Sequence, residues 1–128
     1  MKLLLDTHVL LWAAGKPEKL SRKARRLLEE PENTLVFSPV SLWEIAIKHT
    51  LGRDDFRADI RLLRRGLRDA GYEELPLTSD HAVGLGSLPP LHKDPFDRIL
   101  LAQSQVEGMT LITADAVVAK YPGAVQKV

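Results

Sequence analysis

Four acidic side chains, Asp6, Glu44, Asp97 and Asp115, fall where a strand hands over to a helix or within a helix's first turns, with long stretches of chain between them. If the strands are parallel, such junctions gather at one edge of the sheet, where open α/β folds place their sites. Carboxylates brought together there suit a hard divalent cation such as Mg²⁺, which prefers oxygen ligands and keeps several waters. Two such ions about 3.5 to 4 Å apart can activate a water and stabilise the leaving oxygen of an in-line phosphoryl displacement. Phosphodiester hydrolysis is the chemistry to expect. Without metal, like charges at about 4 Å repel by up to about 4 kcal/mol at an effective dielectric of 20, so some of these carboxylates should have raised pKa values.

Each acid also has an ordinary role open to it. Asp97, three residues after Asp94, can complement a helix N-terminus, worth about 0.3 to 1 kcal/mol. Glu44 ends Ser41-Leu42-Trp43-Glu44, a capping-box pattern. Asp115 falls in the first turn of a short helix beginning at Thr113. Asp6 follows an apolar strand directly, with no basic residue beside it, and is the hardest to explain structurally. Four acids that one sheet edge would unite favour function over four unrelated caps.

Nearby polar groups fit a supporting role. Thr7, Ser41 and Thr113 can each orient a carboxylate, or act as helix caps. Arg98 can hold a substrate phosphate, balance the acids, or be a solvated helix residue. The histidines His8, His49, His81 and His92 show no paired ligand spacing and read as structural or incidental, although His8 adjoins Asp6.

The elements that must position these groups are legible in outline. Leu3 to Leu5, wholly apolar, suit a strand covered on both faces. His8 to Ala14 read as a helix stopped by Gly15 and Pro17, and Ser21 caps another through Glu30. Thr34 to Phe37 form the next strand. Ser38-Pro39 opens a helix in the favoured way, ending near Leu51 at Gly52. Ala58 to Ala70 place Ile60, Leu63 and Leu67 on one helix side and Arg57, Arg61, Arg64, Arg65 and Arg68 opposite. That basic face, like Arg22, Lys23, Arg25 and Arg26, can track a nucleic-acid backbone, meet an acidic partner, or be solvated. Glu73 to Leu77 read as a third strand, with Ser79 capping the helix that follows, and Ser87 to Lys93 as a loop. Asp94-Pro95 opens a helix to about Glu107, with Phe96, Ile99, Leu100 and Val106 buried and Gly108 closing it. Thr110 to Ile112 and Val125 to Lys127 complete the strands. Strand and helix in alternation imply an α/β fold, a parallel sheet with helices on both faces.

Composition bounds this reading without sharpening it. A chain of 128 residues normally makes one domain around one core, here residues 1–128. Its 18 Lys and Arg nearly balance 17 Asp and Glu, so any basic surface must come from local clustering. The absence of cysteine excludes thiolate metal sites, disulfides and a cysteine nucleophile. Asp6 and His8 interrupt the apolar N-terminus too early for a signal peptide, and nothing approaches the roughly 18 apolar residues of a membrane span. The chain reads as cytoplasmic and mature from Met1.

Taken in order, Leu4-Leu5-Asp6-Thr7-His8-Val9-Leu10-Leu11-Trp12, Val40-Ser41-Leu42-Trp43-Glu44-Ile45-Ala46-Ile47-Lys48, His92-Lys93-Asp94-Pro95-Phe96-Asp97-Arg98 with Ala102-Gln103, and Leu111-Ile112-Thr113-Ala114-Asp115 with Tyr121 strongly resemble PIN-domain ribonucleases. The likeness is greatest to the VapC-type toxins of bacterial and archaeal toxin–antitoxin pairs, and it runs from Lys2 to about Tyr121. It implies a PIN-like three-layer fold and a Mg²⁺- or Mn²⁺-dependent endoribonuclease, with Asp6, Glu44, Asp97 and Asp115 matching the family's acidic quartet. It also implies an RNA substrate, a homodimer, and an antitoxin protein whose segment covers the acidic groove, often with a basic side chain. Asp94 is an extra acid, assigned first to helix capping and second to the metal's surroundings.

Two other readings use the same acids. A receiver-like phosphoryl-transfer domain would need an acceptor aspartate and a lysine on a nearby strand end, for which no convincing candidate exists. A non-catalytic binding module would use the acidic groove to receive a basic peptide.

Overall fold

The alternation of apolar strands and capped helices produces a three-layer α/β structure. The computed structural model describes residues 1–128. Its strands are β1 (Lys2–Leu5), β2 (Thr34–Phe37), β3 (Glu73–Glu74), β4 (Thr110–Thr113) and β5 (Val125–Lys127). Its α-helices are α1 (Thr7–Gly15), α2 (Arg22–Glu29), α3 (Pro39–Thr50), α4 (Ile60–Asp69), α5 (Ser79–Gly84) and α6 (Pro95–Glu107). The sheet runs β3-β2-β1-β4-β5, and every pair is parallel.

Side chains alternate across a strand, and two cores result. Leu4, Val36 and Leu111 meet Ile99, Leu100, Leu101 and Ala102 of α6 on one face. Leu3, Leu5, Phe37 and Ile112 meet Val9 and Leu10 of α1, Ile45 of α3, and Leu63 and Leu67 of α4 on the other. The all-leucine run of β1 is needed because both of its faces are covered.

The chain passes from β1 to β2 on one side and later returns to β4 on the other. The strand order therefore reverses at the β1–β4 pair, and the crevice beyond the carboxyl ends of these strands is the usual ligand position in open α/β sheets. The Asp6 N–H donates to the Ile112 carbonyl at 3.0 Å, which carries the pairing one residue past β1 and fixes Asp6 beside β4.

Several elements differ from expectation, each for a local reason. The third strand stops at Glu74, not Leu77. Leu75 N–H still reaches the Phe37 carbonyl at 2.9 Å, but Pro76 has no N–H to continue. Helix α4 begins only at Ile60, because the Asp59 carboxylate accepts from the N–H groups of Arg61 and Leu62. Ile60 is consequently exposed while Leu63 and Leu67 are buried. Thr78, not Ser79, precedes the first turn of α5. Thr113 ends β4 and starts no α-helix; a 3-10 turn over Val118–Lys120 follows instead.

In α6, Val106 is 44% exposed, whereas Gln103 is fully buried. The Ser38 hydroxyl donates to Gln103 Oε1 at 2.6 Å and accepts from Val40 N–H at 3.1 Å. This amide thus fastens the capped start of α3 to the middle of α6, locking together the two helices that carry Glu44 and Asp97. Gly108, in the left-handed region at φ 68°, closes α6 as its position suggested.

Candidate functional site

Asp6 occupies the N-cap of α1. Its Oδ1 accepts from Val9 N–H at 2.9 Å and its Oδ2 from the Thr113 hydroxyl at 2.5 Å. Burial pushes this carboxyl above the ordinary aspartate value and the charge of Glu44 adds to the rise, while Thr113 and Val9 hold it back by hydrogen bonding and His8 by its charge.

Glu44 is buried six residues into α3. Because Ser38 caps that helix, the Ser41–Glu44 capping box does not form and Glu44 is too deep to serve the helix end. Thr7 Oγ1 lies 2.7 Å from Glu44 Oε1 and 3.0 Å from Ser41 Oγ. A threonine hydroxyl has one proton; the shorter contact to a carboxylate takes it, and Ser41 donates to Thr7. Glu44 Oε2 receives the Lys48 ammonium at 2.6 Å.

Asp97 stands in the first turn of α6, but Asp94 caps it, accepting at Oδ1 from Phe96 N–H at 2.8 Å and from Asp97 N–H at 3.3 Å. Asp97 is thereby released from capping. Its Oδ2 lies 2.8 Å from His92 Nε2. Burial drives its pKa up to about 6 against the His92 contact, with further upward pressure from Asp94, Asp6 and Glu44.

Asp6, Glu44 and Asp97, from three different elements, thus share one electrostatic neighbourhood. Asp115 joins them less directly. It is exposed, and its Oδ1 accepts from the N–H groups of Val117 and Val118 at 2.7 and 3.3 Å. Its link to Asp6 runs through Thr113, whose hydroxyl accepts from Asp115 N–H at 3.0 Å. Thr7, Ser41 and Thr113 are all buried and hold carboxylates directly or through one hydroxyl.

The polar groups around the acids include three whose roles the sequence did not reveal. Lys48 also reaches Asp94 Oδ2 at 3.5 Å. Burial alone would lower its pKa, yet the bonds and charges of Glu44 and Asp94 outweigh that and raise it. The i,i+4 spacing from Glu44 was the available signal. His92, Asp94 and Asp97 offer ligand atoms within 4.8 Å of one another, although His92 has no ligand partner at a recognisable spacing. Tyr121 OH accepts from His92 N–H at 2.8 Å, and Arg98 reaches both that hydroxyl and the Pro89 carbonyl at 3.0 Å. Arg98, half-buried, thus clips the loop that carries His92 through its Nη1.

The basic side chains of α4 are exposed, and Arg57 and Arg68 pair with Asp54 and Glu74. A cleft of about 550 Å³ between α1 and α4, lined by Leu11, Trp12, Leu62, Leu67 and Tyr72 among others, contains none of the four acids. The four acids thus lie apart from this cleft.

Comparison with known proteins agrees with the topology. Ribonuclease VapC22 of Mycobacterium tuberculosis is 29% identical over 117 residues, covering 88% of this chain and 86% of that protein. The structure of VapBC2 from Rickettsia felis bound to a DNA fragment from their promoter matches with a TM-score of 0.74 at 16% identity, over 100% of this chain and 99% of the other. VapBC-1 from nontypeable Haemophilus influenzae gives 0.63 at 17% identity, over 99% and 98%. At these identities the structural likeness speaks to the fold. The model of the PIN domain family matches residues 3–124, nearly the entire chain, and the protein belongs to that family.

Proposed function

We propose that this chain is a Mg²⁺- or Mn²⁺-dependent endoribonuclease, the toxin of a toxin–antitoxin pair, acting as a single nuclease domain over residues 1–128. The observation that carries the reading is the convergence of Asp6, Glu44 and Asp97 at the strand-order reversal of a PIN-family fold, where the charge of Glu44 adds to the cost of ionising both aspartates. The donor set fits a hard cation. It is all oxygen apart from His92, and two of its carboxyls are held above their ordinary range, so the protein leaves negative charge for an ion to offset.

A divalent ion bound there supplies Lewis-acid activation of water and stabilisation of the leaving oxygen in phosphodiester hydrolysis. Asp6, Glu44 and Asp97 are the side chains that would hold it, with Asp115 beside them. Thr7 fixes Glu44, Thr113 fixes Asp6, and His92 orients Asp97. No protein nucleophile is required.

The substrate is RNA, and the regulatory partner is an antitoxin whose basic segment complements the acidic groove. The apolar cleft between α1 and α4 offers such a partner a second seat. A homodimer is supported by Trp43, Ile47 and Leu51, spaced four residues apart on and just after α3 and exposed by 56%, 37% and 73%. No helix is long and apolar enough to cross a membrane, and we place the protein in the cytoplasm.

Purified, antitoxin-free protein incubated with total cellular RNA should give discrete fragments with Mg²⁺ or Mn²⁺ and none with EDTA. No cleavage with either ion would remove this reading in favour of a non-catalytic acidic groove, and cleavage that ignores EDTA would remove its metal dependence. A finer prediction concerns Thr113. Thr113→Val removes the hydroxyl that holds down the Asp6 pKa, and metal affinity should fall by about 10- to 100-fold. Unchanged Mn²⁺ binding by calorimetry would show that the Thr113 bond is structural only.

A further inference from the structure

Both carboxylate oxygens of Glu44 are engaged inside the protein, one by Thr7 and the other by Lys48. The two contacts differ in how easily they can open. Thr7 is 2% exposed and braced by Ser41, whereas the Lys48 side chain is 18% exposed and stands on a flexible four-carbon stem. Its ammonium sits between Glu44 at 2.6 Å and Asp94 at 3.5 Å. It also lies 4.7 Å from the centroid of the Phe56 ring and 5.5 Å from that of Phe96.

An ammonium so placed supplies in the metal-free protein part of the positive charge that a divalent ion would bring. It prevents a buried carboxylate from standing unpaired, which is the costly state of an interior charge. If Glu44 Oε2 kept this short contact while binding an ion, the two cations would stand against one oxygen and repel, so the contact opposes metal binding.

We propose that Lys48 is the exchangeable counter-ion of the metal centre: it holds Glu44 in the metal-free protein, gives way when a divalent cation binds, and so competes with that cation. The inference rests on the metal-site reading of Asp6, Glu44 and Asp97 given above. Two features make the exchange feasible. Asp94, which caps α6 through its other oxygen, remains as an acceptor for the ammonium. The faces of Phe56 and Phe96 continue to attract it once Glu44 lets go. Competition of this kind is reciprocal: the factor by which metal weakens the Lys48–Glu44 pair is the factor by which that pair weakens metal binding.

Mn²⁺ binding to the purified full chain, free of RNA and antitoxin, can be measured by calorimetry for the wild type and for Lys48→Met and Lys48→Arg. Methionine retains most of the stem without the charge. Lys48→Met should bind Mn²⁺ about tenfold more tightly, a typical coupling, and Lys48→Arg should stay nearer the wild type. In wild-type protein carrying ¹⁵N-lysine, the Lys48 ammonium resonance should shift as Mg²⁺ is added, with the midpoint of the binding isotherm. This second measurement needs no variant. Binding that Lys48→Met leaves unchanged or weakens, with an unmoved Lys48 resonance, overturns the inference while the metal reading stands. A wild type that binds no Mn²⁺ removes the metal reading and the inference together.

Discussion

Asp97→Asn should abolish metal-dependent RNA cleavage, by on the order of 10³-fold, while leaving the metal-free protein at least as stable at pH 7. The loss follows from removing one charged oxygen from the proposed ion site. An interaction worth several kcal/mol in the transition state corresponds to about three decades in rate. The gain in stability follows from the sign of the titration. The Asp97 pKa rises from 3.8 to about 6 in the folded protein, so between those values the native state binds more protons than the unfolded chain. The contribution of Asp97 to stability is then fully present below pH 3.8 and is lost as pH rises through about 6. By pH 7 the ionised carboxylate costs about 3 kcal/mol, at 1.36 kcal/mol per pKa unit.

Asparagine removes that cost because it does not ionise. It leaves the α6 cap untouched, since Asp94 performs that task. Thermal unfolding in EDTA from pH 4 to 7 should therefore show a steeper downward stability slope for the wild type than for Asp97→Asn, in which only the raised Asp6 carboxyl still contributes, and Mn²⁺ should restore the wild type at pH 7. Retained cleavage together with a clear stability loss would return Asp97 to the role of a helix-dipole residue.

In the sequence, two plausible helix-start signals compete around Glu44 and around Asp97. Ser38-Pro39 and the Ser41–Glu44 box cannot both begin α3: if Ser38 caps, Glu44 lies beyond the first turn. The proline decides it by favouring the first helical position, and Glu44 is left without a helix-end role. Near Asp97 the same competition is settled by Asp94-Pro95. The central strands were legible because parallel strands covered on both faces are largely apolar, as in Leu3 to Leu5 and in Leu111 and Ile112, although β4 runs on to Thr113. The short β3 carried its own stop signal in Pro76.

What stayed hidden was the cross-chain pairing of polar groups. Lys48 at four residues from Glu44 was visible as a spacing, but Asp94 and the rings of Phe56 and Phe96 come from elsewhere in the chain. His92 acquires meaning only because Tyr121 and Arg98 pin its loop against α6. Gln103, polar in an apolar helix face, is legible as a fastener only once Ser38 is seen opposite it. Local pattern fixes element ends, whereas these contacts depend on long-range registry.

Asp6 concentrates both kinds of information, and a pair of substitutions can separate them. Asp6→Asn and Asp6→Ala should each reduce cleavage by on the order of 10³-fold, for the same several kcal/mol of lost transition-state interaction. Their effects on stability should diverge. Asparagine caps a helix about as well as aspartate, while alanine costs about 0.5 to 2 kcal/mol. In Asp6→Asn the side-chain oxygen can still accept from Val9 N–H. The Thr113 hydroxyl, which now donates to Asp6, must turn and accept from the new amide, a change offset by relief of a buried charge held above its ordinary pKa. In Asp6→Ala both contacts vanish and the start of α1 is left open. Urea denaturation in EDTA should place Asp6→Asn near the wild type and Asp6→Ala about 1 to 2 kcal/mol lower. Cleavage that survives in Asp6→Asn would reduce Asp6 to a cap, and equal stability of the two variants would show that α1 does not depend on it. The proposed double duty has a geometric origin: where a parallel strand ends and its helix begins, a single carboxylate caps the first free N–H groups and stands beside the crevice where an ion would bind.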